Sequence, residues 1–163
     1  MSLLNGDKNV VEIKLYYEEK KNEGGFGQII VYEDDEGKKK YDQYEVTRRK
    51  QLENPEGTTK SPDENPIKIL KTQWRLMTWG KQNDITSKCE KYSPNGVPDI
   101  DWIRYRDMRL KTSLVGWDLK DDEGRPVPCN SETINMVPPH VVIALLDKYD
   151  NIVNPTTEEE SKN

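Results

Sequence analysis

The sequence predicts an α+β protein: an N-terminal antiparallel β-meander followed by a C-terminal subdomain of about three helices. Three observations carry that expectation. Val11, Ile13, Leu15 and Tyr17 recur at the two-residue period of a half-buried strand. Val141, Val142, Leu145, Leu146 and Tyr149 instead recur at helical spacing, behind Pro138 and Pro139, where a missing N–H costs nothing. Residues 52–66 (LENPEGTTKSPDENP) hold three prolines and a glycine and separate the two regimes.

Within the first regime, residues 22–27 (NEGGFG) read as a reversal and GQIIVYE as a second strand rich in β-branched residues. Residues 34–37 (DDEG) read as a turn, and 39–46, with Tyr41 and Tyr44, as a third strand. Residues 67–76 give a fourth strand, with Ile67, Ile69, Thr72 and Trp74 as candidates for shared faces. The predicted divisions are a β region at 1–76 with an exposed loop at 52–66, a helical subdomain at 77–153, and a disordered polar tail at 154–163.

In the second regime, Thr78 is the expected N-cap of a helix whose stripe is Ile85, Cys89 and Tyr92. SPNGVP at 93–98 ends it. Asp99 or Asp101 caps the next helix, which runs to about residue 119 with Ile103, Leu110, Leu114 and Trp117 on one face. Gly116 is placed near its end, where a left-handed residue is often needed. Residues 121–128 (DDEGRPVP) turn the chain, and Ser131 caps a short helical turn before the last helix.

Composition sets bounds on function. Only 33% of the 163 residues are hydrophobic and 34% are charged, so the core is small for the length. A net charge of −5 gives no global attraction to nucleic acid or anionic membranes. No run of eighteen apolar residues predicts a membrane span, and the apolar stretch in MSLLNGDK is too short for a signal peptide. Cys89 and Cys129 stand forty residues apart and read as two free thiols of a reducing cytoplasm.

No pattern of catalytic residues emerges. His140 is the single histidine and opens a helix, with no orienting partner or nucleophile placed by the sequence. Asp99 and Asp101 have the spacing of a cation pair, yet they precede a helix, where carboxylates cap N–H groups. Convergence of Asp99, Asp101 and His140 on a metal is the enzymatic alternative. The D-D-E-G-R run lacks the alternating ligands of a calcium loop. Gly24, Gly25 and Gly27 precede a strand rather than a helix, so they read as a hairpin and not a phosphate cradle. Trp102, Arg104, Tyr105, Arg106, Arg109 and Lys111 alternate cations with rings on one helix, the strongest nucleic-acid signal in the chain. The net acidity argues against it. No cofactor, metal or catalytic residue is expected.

Residues 114–119 (LVGWDL), 122–128 (DEGRPVP) and 131–139 (SETINMVPP), followed by an aliphatic helix, resemble a pattern in tail assembly chaperones and related minor tail or virion proteins of tailed bacteriophages. MTWGKQNDI at 77–85 is similar to the L-T-W-G-E step from strand to helix in those proteins. The resemblance covers about the last ninety residues. The N-terminal β region departs from the compact helical chaperones. The resemblance implies a non-enzymatic morphogenesis protein, acting in the host cytoplasm and binding tape-measure and tail-tube proteins. The alternative is a structural protein of the tail, neck or baseplate, bound to neighbouring virion subunits. The partner-binding face would draw on Trp102, Tyr105, Trp117, Val142, Leu145, Leu146 and Tyr149, with no membrane or nucleic acid involved.

Overall fold

Strict alternation at the start of the chain buries Ile13 and Leu15 and leaves Glu12 and Lys14 exposed, so residues Val10–Lys21 form a strand, β1. The computed structural model describes residues 9–21, 27–54, 56 and 66–155. After β1 come β2 (Gly27–Tyr32), α1 (Asp34–Glu53), β3 (Ile67–Arg75), α2 (Trp79–Lys88), β4 (Glu90–Tyr92) and β5 (Pro98–Ile100). The chain continues with α3 (Trp102–Ser113), β6 (Leu114–Trp117), α4 (Ser131–Ile134) and α5 (Pro139–Val153). The fold is α+β. No helix among the described residues is long and apolar enough to cross a membrane.

Four strands form one sheet in the order β2-β1-β3-β6, and β4 pairs with β5 in a separate hairpin. β1 and β2 are antiparallel, with Tyr16 opposite Tyr32 and Lys21 opposite Gly27. β6 runs antiparallel to β3, with Thr72 opposite Trp117 and a register shift between Gln73 and Trp74. In the β4–β5 turn, Gly96 adopts φ 74° and donates its N–H to the Ser93 carbonyl, a backbone state that strongly favours glycine.

The chain divides into two compact units, residues 14–70 and the rest of the described chain. In the first, Gly37 of α1 is buried against Tyr16, and the Tyr16 and Tyr41 rings lie 6.3 Å apart. In the second, Trp74 and Tyr149 are fully buried and stacked, with ring centroids 4.9 Å apart. Such stacking adds about 1 kcal/mol to the effect of burial alone. Their polar edges are satisfied as well. Trp74 Nε1 donates to Thr72 Oγ1, which donates to the Ile13 carbonyl. The Tyr149 hydroxyl donates to the Arg75 carbonyl at 3.0 Å and accepts from the Met77 N–H. Leu110, Leu114, Ile134, Val141, Leu145 and Leu146 are buried in the same unit.

Several expectations are corrected. Residues 34–37 and 39–46 are not a turn and a strand; they belong to the twenty-residue helix α1. Its first turn carries Asp34, Asp35 and Glu36, which favour the positive end of a helix. The helix from Thr78 stops at Lys88, and Tyr92 lies exposed in β4. The helix from Asp101 ends at Ser113, after which Leu114–Trp117 cross into the sheet as β6. Gly116 is therefore a strand residue opposite Gln73, and its φ is not positive. Ile103 is not on a core face but 76% exposed. Asn130, not Ser131, caps α4, in a reciprocal pair with Thr133. Thr78 and Asp101 do cap α2 and α3 by accepting from Lys81 and Arg104 N–H groups. Residues 22–26 of the predicted reversal, 55 and 57–65 of the loop, and 156–163 of the tail lie outside the described residues.

Candidate functional site

Two helical stripes meet at a cleft of about 350 Å³. Trp102, Tyr105, Arg106 and Arg109 come from α3, and Ile143, Leu146, Asp147 and Asp150 from α5. Each set has the spacing i, i+3, i+4, i+7, which places four side chains on one face of a helix. Three of the predicted partner-binding residues therefore line this cleft: Trp102, Tyr105 and Leu146.

At one place in the cleft the two helices are joined. The Arg109 guanidinium pairs with the Asp150 carboxylate and lies over the Tyr149 ring, 5.4 Å from its centre. A guanidinium held between a carboxylate and an aromatic face has both its charge and its flat surface engaged. Its Nε is buried with no hydrogen-bond partner among the described residues. Arg106 and Asp147 are exposed and have no ion pair among the described residues. Trp102 is 65% exposed, and its ring lies T-shaped to that of Tyr105, with centroids 5.7 Å apart.

The other predicted positions serve different purposes. Leu145 and Tyr149 are core residues, and Val142 is half-buried outside the cleft. Trp117 is also half-buried, and its Nε1 donates to the Val127 carbonyl at 2.8 Å, pinning the loop that leaves β6. Among the basic and aromatic residues of α3, Lys111 pairs with Asp107 at 2.8 Å, while Arg104 is exposed. Arg106, Arg109, Ile143, Asp147 and Asp150 were not assigned to the binding face from sequence; their common helical period was the available signal.

The remaining polar features are local. Asp121 accepts from the N–H groups of Glu123 and Arg125 and from the Arg125 side chain. The backbone and side-chain bonds from Arg125 hold its carboxyl below the usual range. Gly124, at φ 79°, completes that turn. Cys89 and Cys129 are free thiols, and burial raises the Cys129 pKa. Among the described residues no three His, Cys, Asp or Glu side chains gather to hold a metal ion, so Asp99, Asp101 and His140 form no such group. Asp99 instead accepts from the Ile100 N–H.

The unit of residues 14–70 has its own open, polar cleft of about 860 Å³, lined by Glu18, Tyr32, Lys40, Tyr44 and Thr47 among others. There the Tyr32 hydroxyl donates to Glu18 at 2.5 Å, and the Lys40 ammonium sits 5.0 Å from the Tyr32 ring centre. The Glu18 hydrogen bond, with burial and nearby carboxylates, pushes the Tyr32 pKa up to about 12.

Comparison with protein-family models, with curated proteins and with solved structures finds no match.

Proposed function

We propose that this protein is a non-enzymatic morphogenesis protein of a tailed bacteriophage, an assembly chaperone or adaptor that binds tape-measure and tail-tube proteins in the host cytoplasm. The observation that supports a binding role is the α3–α5 cleft. It combines an exposed tryptophan, a half-buried tyrosine and an exposed isoleucine with charges of both signs. Aromatic and arginine side chains around a partly desolvated centre are the usual makings of an interaction hot spot. The phage assignment comes from the Trp117–Pro128–Pro139 pattern.

The test is co-purification of the full chain with the tail-tube and tape-measure proteins of a tailed phage encoded beside it. Capture of either is expected, weakened at least tenfold by Trp102→Ala, since a central aromatic typically contributes about 2 kcal/mol or more. Failure to capture either, with the chain present stoichiometrically in purified virions, would overturn the chaperone role in favour of a structural tail, neck or baseplate component. Failure of both would remove the phage reading.

A further inference from the structure

We infer that the α3–α5 cleft selects a short amphipathic helix by charge as well as shape: an apolar stripe with a carboxylate on one flank, for Arg106, and an ammonium or guanidinium on the other, for Asp147. This rests on the protein-binding reading above and specifies the chemistry of the partner.

Residues 102, 105, 106 and 109 and residues 143, 146, 147 and 150 are matched helical stripes. The seam between two such helices presents ridges of side chains into which a third helix can pack. Each stripe runs over eight residues, about 10 Å end to end at the rise of an α-helix, so the occupant engages over roughly two turns. Trp102, at the start of α3, lines the cleft yet is 65% exposed, so much of its ring is left open to solvent. A small molecule filling the cleft would leave the open part of the Trp102 ring wet, whereas a helix lying along the seam extends far enough to cover it.

Arg109 and Asp150 neutralise each other across the seam. One turn before each, Arg106 and Asp147 have no ion-pair partner among the described residues. Each wall thus presents one uncompensated charge, and the two are opposite in sign. A partner with two acidic flanks would meet Asp147 as a like charge, and one with two basic flanks would meet Arg106 in the same way. Either mismatch disfavours binding. A phosphate backbone fares poorly for the same reason, because Asp147 and Asp150 stand in the cleft with the arginines.

The experiment uses the full chain and three fluorescein-labelled synthetic helices of equal length. All three carry the same leucine stripe, flanked by Glu and Lys, by Glu on both sides, or by Lys on both sides. Anisotropy at low salt should rank the mixed peptide tightest on the native chain, by about fivefold over either single-sign peptide, as expected for rim charges. Arg106→Glu should shift the preference to the Lys-flanked peptide, and Asp147→Lys to the Glu-flanked one. High salt should compress all of these differences. Both substitutions are at exposed positions, and unchanged urea midpoints would show that the variants fold.

Equal binding of the three peptides, binding of none, or displacement of the mixed peptide by a single-stranded oligonucleotide would overturn the inference. Capture of tail proteins with no charge preference would overturn it while leaving the proposed function standing. A charge preference without capture of tail proteins would support the inference and overturn the chaperone role.

Discussion

Replacing Gly37 by alanine places a methyl carbon 2.4 Å from Tyr16 Cβ and 2.6 Å from its Cγ. Carbon atoms are comfortable at about 3.5–4.0 Å, so the overlap is about an ångström or more. The atom in the way is the first carbon of a strand side chain, which cannot swing aside without moving β1. In an unobstructed helix the same change stabilises by up to about 1 kcal/mol through propensity. Here overpacking costs about 1–3 kcal/mol. Lifting α1 away also weakens the Tyr16–Tyr41 contact, an interaction of about 0.5–1.5 kcal/mol. The expected net effect is a loss of about 2 kcal/mol. Gly80 in α2 supplies the internal comparison, because a Cβ there meets nothing within 4 Å. Urea unfolding followed by helical circular dichroism should separate them, with Gly37→Ala shifted to lower midpoint and Gly80→Ala unchanged or higher. If Gly37→Ala proves as stable as Gly80→Ala, the close approach of α1 to β1 is wrong.

Two further outcomes follow from the hydrogen bonds. Tyr149→Phe keeps the stack on Trp74 but removes the donor to the Arg75 carbonyl, so stability should fall by about 1–2 kcal/mol in urea titration; an unchanged midpoint would show that this bond contributes nothing. For Tyr32, the raised pKa means the neutral phenol is favoured in the folded chain. Its contribution to stability is therefore fully present below the ordinary value of 10.0 and is lost as pH rises through about 12. Absorbance titration should reveal a late ionisation that disappears in Tyr32→Phe and moves back toward 10.0 in Glu18→Gln; a high-pH titration that Tyr32→Phe leaves unchanged would refute the Glu18 hydrogen bond.

The parts of this fold that announce themselves in sequence are those where burial imposes a period. β1 does so through Ile13 and Leu15, and α5 through Val141, Leu145 and Tyr149. α1 does not, because its only buried residue is a glycine. It is supported by acids in its first turn, Lys50 in its last, and pairs such as Lys40–Glu36 and Arg48–Glu45, none of which repeats like an apolar stripe. β6 was hidden for the opposite reason: Leu114 and Trp117 continue the helical spacing of α3, and only pairing with Thr72 and Trp74 makes them a strand. At the cleft, Trp102, Tyr105 and Leu146 were legible as apolar candidates on helices. The Arg109–Asp150 pair was not, since its members lie 41 residues apart and nothing local couples them.

The bond from Tyr149 to Arg75 also bears on when the chain can finish folding. Its ends are 74 residues apart, and the ring it anchors covers Trp74. β1 and β2, by contrast, are near neighbours in sequence and can zip early. A nascent chain therefore carries Trp74 without its Tyr149 partner until α5 has been made, and the entropy of that long closure weighs on the rate before the contact repays it. During that interval the uncovered Trp74 ring is apolar surface open to misassociation.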